Sequence, residues 1–138
     1  MFARVHHIGI AVADMERALR VYASASGAEV LGREPSADGS IEIAMLRLGG
    51  DLIELLSPRE GESAIQKFIE RRGEGLHHVA WEVADIEREL RRLKEEGYPI
   101  VDERPRPGAM RSRIAFLHPK GTLGTLWELV EPARRGEA

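Results

Sequence analysis

One pattern of apolar and polar residues occurs twice along the chain, beginning at His7 and again at His78. Each copy opens with a short apolar stretch, continues with an aspartate (Asp14 or Asp85), and then places apolar residues at helical spacing. In the second copy these apolar residues are Ile86, Leu90 and Leu93. Because aspartate is favoured at the N-cap of helices, the pattern predicts a strand followed by an amphipathic helix in each half.

The ends of the two halves match as well. Residues 52–58 and 126–132 are near-continuous apolar strands that end at a proline, and each contains one glutamate at the same place, Glu54 or Glu128. Each half has room for two more strands, which we expect around Glu29–Arg33, Ile41–Leu48, Ile100–Asp102 and Arg113–His118. Each half is therefore predicted to be a β-α-β-β-β module.

The two modules span about residues 4–60 and 74–132, and a helix near residues 62–72, with Ser63 as its N-cap, links them. A unit of about 60 residues is marginal alone, because it buries only about 60% of the surface of its unfolded chain. We therefore expect the modules to pack together or share a sheet in a single domain, residues 1–138. Chance similarity is the alternative, but two matched blocks in the same order favour duplication.

The composition narrows the classes of function. The chain has 138 residues, a formal net charge of −3 and no cysteine. The absence of cysteine excludes disulfides, thiolate metal sites and thiol nucleophiles. Without a basic block, nucleic acid is not an expected partner, and without a long apolar run or a signal-peptide core, neither is a membrane. We expect a soluble protein of a reducing compartment, the cytoplasm.

The duplication relates four polar residues in pairs, His7 with His78 and Glu54 with Glu128. Each lies in an otherwise apolar strand, where a single glutamate would be interpreted as pointing to solvent. Two histidines and two glutamates at matched positions indicate a divalent metal ion instead, because a buried carboxylate needs a cation or strong donors. A ligand set without sulfur argues against structural zinc and suits Co²⁺, Ni²⁺, Mn²⁺ or Fe²⁺, with Zn²⁺ still possible.

A second histidine precedes each candidate ligand, His6 before His7 and His77 before His78. Neighbouring residues on a strand face opposite sides of the sheet, so only one histidine of each pair can point into a shared cavity. Periodicity alone leaves open which one this is. The other histidine of each pair is expected to pack nearby.

Five segments resemble the vicinal oxygen chelate (glyoxalase/dioxygenase) superfamily and, within it, the methylmalonyl-CoA epimerase family. They are residues 7–12, 53–58, 73–80, 114–120 and 127–129, and the similarity runs from about residue 5 to residue 131. The Gly-Leu-His-His and Phe-Leu-His-Pro-Lys stretches are the most specific to the epimerases. The resemblance implies an α+β fold in which two paired βαβββ modules form a curved mixed sheet around a metal-binding cavity.

The resemblance also implies site residues and a reaction. It places His7, His78 and Glu128 on the metal, with Glu54 as the fourth ligand at a position that is Gln or Glu in the relatives. It gives Glu42 and Glu128 the roles of two proton-transfer bases. The implied reaction interconverts (2R)- and (2S)-methylmalonyl-CoA by 1,1-proton transfer through a metal-stabilised enolate, with Co²⁺ as the favoured ion.

An acyl-CoA is the implied substrate, and His118, Lys120 and Arg111 are candidate contacts to it. Each of the three also has a plainer interpretation as a turn or surface residue. The chain departs from the epimerase pattern at residues 108–111, where epimerases usually have Gly-Ala-His-Gly, and again at residues 121–124. Both loops are expected to border the acyl-CoA pocket, so these departures bear on the choice of substrate.

Other members of the superfamily provide the alternatives. Glyoxalase I, a lactoylglutathione lyase, uses a similar metal shell on a hemithioacetal of glutathione, and extradiol dioxygenases use two histidines and one glutamate on iron. Bleomycin-resistance relatives are small-molecule (drug) binding proteins without a metal, and the four candidate ligands argue against that class. Members of the family often form homodimers, so a homodimer is expected.

Overall fold

The computed structural model describes residues 1–59 and 61–134, which belong to two compact units. One unit consists of residues 7–77, and the other of residues 1–6 together with the chain from residue 78 onward. Each half of the chain has the element order β-α-β-β-β, as predicted. The module boundaries and the single domain stay predictions. No helix in the described part of the chain is long and apolar enough to span a membrane.

Four strands and two helices form the first half of the chain. They are β1 (Arg4–Ala11), α1 (Met15–Ser26), β2 (Glu29–Pro35), β3 (Ile41–Leu48), β4 (Asp51–Pro58) and α2 (Ala64–Arg72). The strands lie in the order β2-β3-β4-β1, with β1 parallel to β4 and the other neighbours antiparallel. The strands predicted near residues 29–33 and 41–48 and the linking helix capped by Ser63 are confirmed.

Helices α1 and α2 cover opposite faces of these strands. Asp14 caps α1 by accepting a hydrogen bond from the backbone N–H of Arg17, and Gly27 ends the helix with a left-handed φ of 76°. The core on the α1 face contains Val12, Met15, Ala18, Ala28, Ala44, Leu46 and Leu55. The core on the α2 face contains Ala11, Leu56 and Ile65, with Ile41 and Ile43 packed against them. Because side chains alternate along a strand, each position of β3 and β4, which pair without a register shift, can be assigned to one of these faces.

The second half of the chain repeats this order with one helix. Its elements are β5 (Gly75–Glu82), α3 (Ile86–Glu95), β6 (Arg106–Pro107), β7 (Arg113–Leu117) and β8 (Trp127–Glu131). The strands lie in the order β5-β8-β7-β6, with β5 parallel to β8. Asp85 caps α3 through the backbone N–H of Arg88. The helix buries its apolar face in a core of Val83, Ile86, Leu90, Leu93, Ala115, Leu117 and Leu129.

One strand prediction, at residues 100–102, is wrong. Ile100 forms only an isolated bridge with β7, and the backbone N–H groups of Val101 and Asp102 both donate to the carbonyl of Phe116. A regular ladder would give these groups separate partners. The strand that pairs with this edge of β7 is the two-residue Arg106–Pro107. Prolines before Ile100 and within this edge strand remove N–H groups that a longer ladder needs.

Candidate metal centre

The first histidine–glutamate pair lies on the adjacent parallel strands β1 and β4. Gly9, two residues after His7, is the register partner of Glu54, so His7 and Glu54 lie on the same face of the sheet. His7 is 4% exposed and Glu54 is 5% exposed, and His7 Nε2 lies 3.6 Å from Glu54 Oε1. An imidazole nitrogen and a carboxylate oxygen therefore lie side by side in a buried position.

The second pair repeats this arrangement on the parallel strands β5 and β8. Ala80, two residues after His78, is the register partner of Glu128. His78 is 2% exposed and Glu128 is 4% exposed, and His78 Nε2 lies 3.7 Å from Glu128 Oε2. The duplicated register thus produces the same pair geometry twice.

The spacing within each pair suits two ligands of one metal ion. A direct hydrogen bond would span only about 2.7–3.2 Å. Two ligands bonded to one ion at about 2.1 Å each, with an angle of about 90–120° between them, lie roughly 3.0–3.6 Å apart. Buried ionised carboxylates also need a cation or strong donors nearby. Each pair therefore offers one nitrogen and one oxygen donor of the kind that holds a divalent first-row metal ion.

The structure distinguishes the two histidines of each adjacent pair. His7 and His78 are the buried members that face a glutamate, whereas His6 and His77 are only partly buried. The ring of His77 packs edge-on against Phe68, with 4.9 Å between the centroids. Burial lowers the pKa of His77, and the nearby Glu54 carboxylate opposes this shift. His77 is therefore a packing residue, and its burial favours the neutral form of the ring.

Phe116 is a neighbour of His78 that the sequence analysis did not assign a role. Its ring meets the His78 ring at an interplanar angle of 89°, with 5.6 Å between the centroids. The Arg106 guanidinium lies 5.3 Å from the Phe116 centroid, and Asp102 accepts hydrogen bonds from the Phe116 N–H (2.9 Å) and from Arg106 Nε (3.3 Å). These contacts hold the ring that orients His78. Strand pairing could have predicted this neighbour, because Phe116 is the register partner of Glu128 and lies on the same face of the sheet.

Glu42 lies on the opposite face of the sheet from Glu54. Glu42 and Leu46 are four residues apart on β3, so their side chains lie on the same face, and Leu46 packs against α1. Glu54 is two residues from Leu56 on β4 and lies on the α2 face. Arg33 Nε donates to the Glu42 carboxylate at 2.7 Å, and the same guanidinium pairs with Glu16 of α1 at 2.7 Å. The role of Glu42 as a proton-transfer base stays a prediction. The identity of the covering helix decides the face, and this cannot be read from the alternation of β3 alone.

The three candidate substrate contacts lie in turns and loops of the second half. His118 Nδ1 accepts a hydrogen bond from the backbone N–H of Lys120 at 3.0 Å and so caps the short turn at residues 119–121. Arg111 is exposed and has a left-handed φ of 59°, next to Met110 at 55°. Non-glycine residues in this conformation cost about 1–2 kcal/mol each, so their neighbours must hold them there. The roles of these residues as substrate contacts stay predictions.

Comparisons with known proteins agree with this architecture. The model of the glyoxalase/bleomycin resistance protein/dioxygenase superfamily matches residues 6–116. An ethylmalonyl-CoA/methylmalonyl-CoA epimerase of Cereibacter sphaeroides is 37% identical over 131 residues, 94% of this chain and 98% of that protein. The crystal structure of methylmalonyl-CoA epimerase from Mycobacterium tuberculosis has a TM-score of 0.92 at 38% identity and covers 97% of this chain and 91% of that chain. A methylmalonyl-CoA epimerase in complex with methylmalonyl-CoA and NH4+ has a TM-score of 0.91 at 35% identity, with 96% of both chains covered. These matches confirm the predicted α+β fold class and the superfamily resemblance.

Proposed function

Because the chain belongs to the glyoxalase/bleomycin resistance protein/dioxygenase superfamily, we propose that it is an isomerase that interconverts (2R)- and (2S)-methylmalonyl-CoA. The observation that carries this proposal is a buried histidine–glutamate pair in each half of a fold shared with methylmalonyl-CoA epimerases. The proposed acyl-CoA substrate is supported by the relative solved with methylmalonyl-CoA. The homodimer and the cytoplasmic location stay predictions.

The proposal includes one divalent ion held by His7, Glu54, His78 and Glu128, with Co²⁺ as the favoured ion. The donor chemistry supports it, because His7, Glu54 and His78 are buried and each offers one ligand atom, and Glu128 is buried beside His78. When bound, such an ion would act as a Lewis acid that favours negative charge on substrate oxygens. The protein would hold the donors in place and exclude water around them.

Epimerisation removes a proton from the carbon between the thioester and the carboxylate and returns a proton on the opposite face of that carbon. We assign one of these transfers to Glu128, whose carboxylate is buried and is oriented beside His78. This carboxylate would take the proton from that carbon or return one to it. The other transfer by Glu42 stays a prediction that the family resemblance implies, and its position on the α1 face, in an ion pair with Arg33, is the observation against it.

Proton exchange at C2 of methylmalonyl-CoA tests this function. In D2O, the Co²⁺-loaded protein is expected to incorporate deuterium at C2, the chelator-stripped protein to lose this activity, and added Co²⁺ to restore it. Mass spectrometry of the recovered thioester measures the exchange against a protein-free background. A folded, metal-loaded sample without exchange would overturn the proposal. Formation of S-lactoylglutathione by the same sample would favour the glyoxalase I alternative.

The substitution Glu42→Gln is expected to leave epimerase turnover within about threefold of the parent, because the residue does not face the metal ligands. Loss of its charge weakens a partly exposed ion pair with Arg33, so the free energy of unfolding should fall by less than about 1 kcal/mol. Steady-state rates, metal content and urea denaturation measure these effects. A loss of turnover of a hundredfold or more, with metal retained, would give Glu42 the role of a base after all.

A further inference from the structure

A groove of about 550 Å³ runs along α3 in the second half of the chain. It is lined by residues of α3, by the segment after this helix and by the start of β7, namely Glu87, Leu90, Arg91, Lys94, Ile100, Glu103, Arg104, Pro105 and Arg113. Its volume is within the range of about 300–1,000 Å³ that is typical of sites for small molecules.

The groove lies on the opposite face of the sheet from the His78–Glu128 pair. Arg113 lies on the same face of β7 as Ala115 and Leu117, which pack against α3. Phe116 lies on the opposite face of β7 and contacts His78. A ligand in the groove would therefore be separated from the candidate metal ligands by the sheet, and its binding is independent of the proposed function.

Only some of the charged side chains that line the groove form ion pairs with described residues. Lys94 is paired with Glu103 at 3.2 Å, and Arg113 is paired with two glutamates, one of which lines the groove. Arg91 and Arg104 are exposed and have no hydrogen bond or ion pair with any residue in the ranges 1–59 and 61–134. Four cationic side chains therefore face two carboxylates in this groove, although the whole chain has a net charge of −3.

We propose that this groove binds the oligophosphate group of a nucleotide-sized ligand. A guanidinium presents two parallel N–H donors that match the oxygens of a phosphate, and no residue that the structure describes occupies these donors of Arg91 and Arg104. The apolar surface of Leu90, Ile100 and Pro105 provides a floor on which the non-phosphate part of the ligand can pack. The ligand is thus a diphosphate with an organic substituent.

Titration calorimetry with ADP, pyrophosphate and adenosine tests this site on the chelator-treated full chain. ADP is expected to bind, and the double substitution Arg91→Ala/Arg104→Ala is expected to weaken binding by about tenfold or more. The control Arg20→Ala/Arg88→Ala removes the same charge from exposed helix positions that do not line the groove, and it should change the affinity less than about twofold.

The ligand series and the epimerase assay separate the possible outcomes. Pyrophosphate binding as tightly as ADP supports the site and identifies the phosphate chain as the recognised group, whereas weaker binding of pyrophosphate assigns a contribution to the nucleoside. Adenosine binding as tightly as ADP, no ADP binding at millimolar concentration, or equal losses in the two double variants would overturn the proposal. Epimerase activity should be retained in the Arg91→Ala/Arg104→Ala variant, and this result distinguishes the groove from the acyl-CoA site.

Discussion

Replacing His78 with alanine is expected to remove bound metal and to lower epimerase turnover by about a thousandfold or more. The substitution deletes a buried nitrogen donor and leaves the buried Glu128 carboxylate without the imidazole that lies 3.7 Å from it. A buried carboxylate without a compensating partner is costly, so the free energy of unfolding should also fall, by about 1–3 kcal/mol. Metal analysis after dialysis, together with the deuterium exchange assay, measures the functional effect.

His77→Ala is the matched control for this substitution. His77 is adjacent in sequence, but it packs against Phe68 and is only partly buried, so its variant should retain metal and most of the turnover. His78→Gln keeps much of the side-chain volume and separates loss of the donor from loss of packing. Full metal content in a folded His78→Ala or His78→Gln variant would show that this histidine is not a ligand.

Glu128→Gln is expected to lower turnover by about a thousandfold or more, while Glu54→Gln should cost about tenfold or less. The two glutamates are equivalent in the duplicated geometry, each buried beside a histidine at 3.6–3.7 Å. Their proposed chemistry differs, because Glu128 also transfers a proton and an amide cannot. The family resemblance implies Gln or Glu at the position of Glu54, and an amide oxygen can still donate an electron pair to a metal ion.

The comparison of these two isosteric variants tests the proton-transfer role separately from metal binding. Both should fold, and the metal content of each is measured beside its rate of deuterium incorporation at C2. The decisive result is a Glu128→Gln protein that keeps metal but has lost exchange. Equal losses in the two variants would mean that the glutamates serve only as ligands, and the base would have to be another residue.

Local patterns were sufficient for most of the secondary structure. The N-caps Asp14, Ser63 and Asp85 each accept a hydrogen bond from the backbone N–H three residues later, as their residue type predicts. The strand Ile41–Leu48 has the predicted bounds, because its apolar pattern begins at Ile41 and a glycine pair follows Leu48. The prediction of a strand at residues 100–102 is wrong because the backbone partners of these residues depend on the path of the loop that follows them.

The repeat marks the four candidate ligands in the sequence, and it does not mark Glu42. The repeat places two histidines, His7 and His78, at one equivalent position and two glutamates, Glu54 and Glu128, at another. Each candidate ligand in one half is therefore supported by its equivalent in the other half. Glu42 has no such partner, and its assignment depended on the family resemblance. Strand alternation separates it from Ile41 and Ile43 but does not say which of the two faces is covered by α1.

The amino-acid sequence by itself determined the duplicated modules, the capped helices and the four buried ligand candidates, because these follow from spacing and from residue types that act locally. The tertiary structure decided which histidine of each pair is buried beside a glutamate, which face Glu42 occupies, and that Phe116 packs against His78. These features depend on strand register and on which helix covers each face, and contacts between residues distant in sequence set both.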